Sequence, residues 1–214
     1  MKKKTFSLIC LGIGVFLVVQ VIMPILAFKW WEFTVYNENT TLVSPSPEMG
    51  NISGISVQNI NNFPAFISGS DKRQNLLYEE FMLSVPSINL DKVKVIVDSN
   101  NFEQNLALMP GTALPGERGN VFITGHSSLP QFYRPGNFKA IFAHLPEVKK
   151  GDEVIMEAGG QRFVYIVQGL KIVDPKETWV INAPEERGRY LSLMTCVPPG
   201  LYLKRLIVLA SLKT

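Results

Sequence analysis

The 214-residue sequence predicts a mostly β domain, a closed barrel or a sandwich, carried behind an N-terminal transmembrane helix. Three observations lead there. One long stretch near the start is apolar and uncharged. A polar stretch without hydrophobic period follows it. Beyond that, many short β-branched and aromatic segments alternate with Gly and Pro, the spacing of a barrel or sandwich.

Residues 1–5 hold Lys2, Lys3 and Lys4, and residues 6–28 carry no charge. That run exceeds the roughly 20 residues a helix needs to cross a bilayer's hydrocarbon core. Lys29, Trp30 and Trp31 follow it, where an indole can keep its N–H wet and its ring in lipid. Positive charge ahead of the span predicts a cytoplasmic N-terminus and an exported remainder. A cleaved signal peptide cut near Ala27 is the alternative, but Ile25-Leu26 is not a small-residue cleavage pattern, so a retained anchor over 6–28 is expected. The formal net charge of +3 equals the contribution of those three lysines. The remainder is balanced, which argues against nucleic acid as a partner.

Residues 29–75 read as a flexible linker, because Asn, Ser, Thr, Pro and Gly dominate and no period of 3.6 or 2 is sustained. Residues 76–214 form the folded domain. Its strand candidates are 92–97, 120–124, 153–157, 162–173, 190–195 and 204–212, with a short helix expected over 138–145. Pro110-Gly111, Pro115-Gly116, Gly159-Gly160 and Asp174-Pro175 punctuate them.

The chain has two cysteines, Cys10 inside the proposed span and Cys196 near the end, so the two cannot pair. A lone thiol in an exported domain is either a small buried hydrophobe or a reactive group. His126 stands just beyond the apolar run 119–124, and Cys196 just beyond 191–195. Arg205 opens the last strand candidate and returns near Cys196 if the last two strands pair. Thiol, imidazole and guanidinium are what thioacyl chemistry needs: a nucleophile, a proton carrier and a cation for developing oxyanion charge. Spacing alone leaves open whether the three meet. His144, in Phe142-Ala143-His144-Leu145-Pro146, reads as structural.

Local motifs add to this. Gly111 through Asn120 with Thr124-Gly125-His126, Ser192-Leu193-Met194-Thr195-Cys196, and Arg205-Leu206-Ile207-Val208 resemble, in that order, the histidine, cysteine and arginine regions of sortases. The resemblance runs from about Phe81 to the C-terminus and takes in Ser84 to Ile88 and Gly151-Asp152-Glu153. It implies a closed eight-stranded sortase-type β-barrel with short helices. It also implies a cysteine transpeptidase that cleaves a C-terminal sorting signal of Leu-Pro-X-Thr-Gly type through a thioacyl-enzyme. In that reaction Cys196 attacks, His126 moves protons and Arg205 holds the substrate backbone or oxyanion. Thr195 and Ser127 are the implied substrate-binding residues. Ser192 stands where the cysteine motif usually has threonine, and Ser127 where many members have arginine. A second hydrophobic span and an Asp-Pro-aromatic lid motif, marks of pilus-polymerising members, are missing from this sequence.

The implied partners are secreted proteins bearing the signal and a cell-wall precursor or other amine. The implied location is a bacterial plasma membrane, single-pass, with the catalytic domain outside. No cofactor is expected. Calcium, which some sortases bind, would draw on Asp152, Glu153, Glu185 and Glu186, but they lack Asp-rich ligand spacing, and a zinc site is not expected either. A membrane-anchored, sortase-like module that binds peptide or wall material without catalysis is the alternative. A thiol–disulfide oxidoreductase would need a resolving cysteine in the exported part, which has none.

Overall fold

The computed structural model describes residues 2–38, 55–60, 63–68, 76–101, 103–185, 187–200 and 202–213. The chain divides into two compact units, Met1–Glu38 and Asn39–Thr214.

The first unit is one helix, α1 (Lys2–Glu38). Its window Ile9–Ala27 is long and apolar enough to cross a membrane, and none of it is buried against protein. Apolar side chains such as Ile13, Phe16, Leu17 and Met23 stand exposed, as a bilayer-facing surface requires and a water-facing one does not. At 37 residues the helix is about 55 Å long by the α-helical rise, so it runs past the span's expected end at Phe28 into the stretch expected to be a linker.

That stretch also contains a hairpin that its polar composition did not signal. β1 (Ile55–Ile60) pairs antiparallel with β2 (Phe63–Ser68) as a separate two-stranded sheet.

The remaining strands are β3 (Glu80–Val85), β4 (Leu90–Ile96), β5 (Leu106–Leu108), β6 (Gly119–Thr124), β7 (Glu153–Ala158), β8 (Gln161–Val173), β9 (Arg189–Val197) and β10 (Lys204–Leu212). They close into an eight-stranded barrel in the order β10-β8-β7-β3-β4-β5-β6-β9. β4–β5 and β6–β9 are parallel and the other pairs antiparallel. The fold class is as expected. The short helix expected over 138–145 is instead two 3₁₀ turns, Phe138–Ala140 and Leu145–Glu147. Pro146 suits the second position of such a turn and ends any longer helix.

β6 and β9 are buried on both faces, which is why they read as near-continuous apolar runs rather than alternating ones. On one face Phe122, Met194 and Ile207 of β10 cluster with Met109, Val173 and the 3₁₀ turn Thr178–Ile181, whose Trp179 covers them. On the other face Val121, Ile123, Leu191, Leu193, Leu206 and Val208 are equally buried, since successive strand side chains point to opposite sides.

Candidate active site

The face that carries Phe122, Met194 and Ile207 also carries the candidate residues, because strand positions two apart share a face. On β9 the row runs Ser192, Met194, Cys196. Antiparallel pairing puts Arg205 of β10 opposite Cys196 and Ile207 opposite Met194. Parallel pairing puts Thr124 of β6 opposite Met194. The ladder continues past the end of β6, where Gly125 N donates to Met194 O at 3.2 Å. His126 follows directly, two residues beyond the last paired residue of β6. Cysteine and arginine thus face each other on adjacent strands, and the histidine stands just past the end of the strand on the cysteine's other side.

The peptide bearing His126 is fixed at three points. Gly125 N is held by Met194 O, Thr195 Oγ1 donates to Gly125 O at 2.9 Å, and Phe142 N donates to His126 O at 3.0 Å. Only glycine fits at 125: a Cβ there would lie 2.5 Å from Leu106 Cδ2 and 2.7 Å from the Phe142 ring. Thr195 is buried and its hydroxyl ties the cysteine strand to the histidine segment. Ser127 is buried as well, and its Oγ has no hydrogen-bond partner among the described residues.

Cys196 and Arg205 are both 0% exposed. Arg205 Nη1 donates to Lys204 O at 3.0 Å and Tyr202 O at 3.4 Å, so the guanidinium also braces the β9–β10 connection. A Cβ built on Gly200 of that connection would lie 3.5 Å from Leu129 Cγ, so the segment after His126 runs close to the turn between cysteine and arginine.

A family model described as the sortase domain matches residues 83–213. The chain belongs to the sortase family. It is 26% identical over 118 residues to Sortase D of Bacillus subtilis (strain 168), covering 55% of this chain and 54% of that one. The chain thus spans about half the length of the curated relative it matches. Among solved structures it is similar to a lid mutant of sortase A from Corynebacterium diphtheriae (26% identity, TM-score 0.54, 64% of this chain and 71% of that one). Sortase C-1 from Actinomyces oris is alike at 26% identity and TM-score 0.54, covering 63% of this chain and 73% of that one. A Clostridium perfringens Sortase D5 transpeptidase shares the fold at 23% identity and TM-score 0.54, covering 64% and 79%.

In this sortase, burial pushes the Cys196 thiol up to about 12, against the pull of the Arg205 guanidinium and its hydrogen bond. Burial lowers His126; Glu103 opposes that shift and Lys139 adds to it. Burial also lowers Arg205, with Cys196 opposing, yet a guanidinium stays charged at any ordinary pH. At neutral pH the resting pair is therefore thiol and neutral imidazole.

His144 has its own partners: Nδ1 is 2.7 Å from Glu147 Oε1, and the ring meets Tyr133 edge-on at 5.2 Å. Among the described residues no His, Cys, Asp and Glu side chains group to hold a metal ion. Of the acidic candidates, Asp152 accepts from Lys149 N, Glu153 pairs with Lys213 at 2.9 Å, and Glu186 lies outside the described residues. Sequence reasoning missed Glu103 and Lys139. Exposed charges in loops give no local signal, and only the fold brings them near an imidazole.

Proposed function

We propose that this sortase is a cysteine transpeptidase of the extracytoplasmic membrane surface, held there by α1, which joins proteins carrying a C-terminal sorting signal to an acceptor amine. The observation that carries the reading is the pairing of Cys196 with Arg205 across β9 and β10, with His126 just beyond the end of β6, the other neighbour of β9.

In the first half-reaction Cys196 Sγ, its proton passed to His126, attacks the Thr carbonyl of a Leu-Pro-X-Thr-Gly-type signal. A C–S bond forms, and charge on the carbonyl oxygen is met by the Arg205 guanidinium. The C–N bond then breaks, and the His126 imidazolium gives its proton to the leaving glycine amine. In the second half His126 takes a proton from the incoming amine. The amine attacks the thioester, a C–N bond forms, and the thiolate leaves as the acceptor of that proton. The apolar cluster under Trp179 flanks this row and keeps water from the thioester, favouring aminolysis over hydrolysis. Because Cys196 is closed off from solvent, peptide entry displaces the connections around it, such as the neighbouring segments at Leu129 and Gly200.

The test is mass spectrometry of the full chain in detergent micelles with a Leu-Pro-X-Thr-Gly-type peptide library and an amine acceptor. The reading requires a thioacyl adduct on Cys196 and an amide product, both lost in Cys196→Ala. Peptide that binds without any adduct would make the anchored, non-catalytic module the better reading.

A further inference from the structure

A lysine stands on the barrel face that carries the candidate nucleophile, one row away from it. Residues paired across neighbouring strands share a face, so the registers extend the row of Cys196 and Arg205 to Val173 of β8. The next row on that face is Lys171, Ile207, Met194 and Thr124, from β8, β10, β9 and β6. Rows two residues apart along a strand are roughly 7 Å from each other. Lys171 thus borders the apolar patch beside Cys196, and its ammonium does not turn away from that patch. Its Nζ lies 4.4 Å from the centroid of the Trp179 ring, which packs against the cluster of Phe122, Met194 and Ile207.

Other bonds hold the turn that carries the ring. Trp179 Nε1 donates to Glu177 Oε1 at 3.3 Å, and Glu177 Oε2 accepts from Asp174 N at 2.6 Å, just past the end of β8. Glu177 N donates to Asp174 O at 3.0 Å and Asn182 N to Trp179 O at 3.1 Å. Asn120 Nδ2, buried in β6, donates to Ile181 O at 3.0 Å. These bonds fix the backbone of the turn and one edge of the indole. Lys171 holds the face of the ring, reaching it from a strand rather than from the turn. We propose that Lys171 is a positioning residue for transfer: its ammonium clasps Trp179 onto the barrel beside Cys196 and Arg205, and the closed clasp keeps bulk water from the thioester until the amine attacks. The inference rests on the thioacyl chemistry proposed for Cys196.

A thioester at Cys196 has two fates. Attack by an amine forms a C–N bond, breaks the C–S bond and returns a proton to the sulfur. Attack by water forms a C–O bond instead and releases a carboxylic acid. The amine arrives as one bound molecule, whereas water enters at every opening of the surface. A cover that lifts, even for a small share of the time, therefore raises hydrolysis without aiding aminolysis. Lys171 and Trp179 are both partly buried, and a cation over an indole at such a site weighs about two- to fivefold in the ratio of closed to open cover. A lysine that only filled space would act through its methylene stem, which methionine also supplies.

The experiment measures amide and hydrolysed product from a Leu-Pro-X-Thr-Gly-type peptide at a fixed amine concentration, with the full chain in micelles. Lys171→Met keeps an unbranched apolar stem and removes the charge; Lys171→Arg keeps a cation that stacks on an indole. The ratio of hydrolysed to amide product is expected to rise about two- to fivefold in Lys171→Met and to return to the wild-type value in Lys171→Arg. Trp179→Leu should raise it further, and in that background Lys171→Met should add nothing, because the two side chains act through one contact. The ring's position is read separately from the indole N–H signals. The sequence has three tryptophans, and the Trp179 signal is the one lost in Trp179→Leu. It should exchange with water faster in Lys171→Met and not in Lys171→Arg. A ratio or an indole signal unchanged in Lys171→Met, a rise that Lys171→Arg shares, or additive effects in the double variant overturn the inference. A wild type that forms no thioacyl adduct overturns the transpeptidase reading and the clasp's role with it, whereas an adduct that divides alike in every variant overturns the clasp alone.

Discussion

Arg205 does two jobs that a lysine cannot share. Its guanidinium lies against the Cys196 thiol and also donates to Lys204 O and Tyr202 O. An ammonium offers a point charge without the planar fork. Arg205→Lys is therefore expected to keep a cation yet lower the transfer rate by on the order of 10²-fold, the scale of losing one oriented oxyanion donor. Steady-state peptide transfer measures it. Removing the charge with Arg205→Gln takes away what holds the thiol down, so Cys196 is pushed further up and iodoacetamide reacts more slowly at any pH below about 12. A faster alkylation in Arg205→Gln would contradict the electrostatic assignment.

The segment between β6 and the turn Phe138–Ala140 is the element on which the histidine depends. Gly125→Ala forces a methyl into Leu106 and Phe142, an overpacking that costs about 1–3 kcal/mol in chemical denaturation. The strand end must shift to relieve it, and His126 shifts with it. Transfer is expected to drop by about 10²-fold, the scale of a roughly 1 Å misplacement of a reacting group. Thr195→Val leaves the buried Gly125 carbonyl without its hydroxyl partner, at about 1–3 kcal/mol, read in the same denaturation series. These ties also show where sequence reading succeeds and stops. β6, β9 and β10 were legible because each is an apolar, β-branched run bounded by Gly, Pro or charge. β5 was not, being three residues long, and neither was the hairpin β1–β2, whose first strand includes the polar Ser56, Gln58 and Asn59. The Cys196–Arg205 pairing followed from a local hairpin and was foreseeable. The placing of the His126 segment beside the cysteine strand depends on a parallel pair between distant segments, which no local pattern encodes.

At the scale of the whole molecule, the closed site links stability to pH. Cys196 titrates near 12 when folded and near about 8.5 when unfolded. A raised value means that the unfolded chain releases this proton first as pH rises. The contribution is therefore complete below about 8.5 and lost progressively between there and about 12. Thermal melts of the wild type should fall off more steeply across that window than those of Cys196→Ala, with the two curves parallel from about pH 7 to 8. Equal slopes throughout would mean that the thiol ionises as freely in the fold as outside it.

β10 lies between β8 and β9, and so the last strand described is the stave that closes the barrel. In chain order the cysteine strand precedes the strand that seals it. Until Lys204–Leu212 pairs, the cysteine strand has one open edge and no guanidinium stands opposite the thiol. Closure of the barrel and the pairing of thiol with guanidinium are then one event, so the cation reaches the cysteine only in a completed fold.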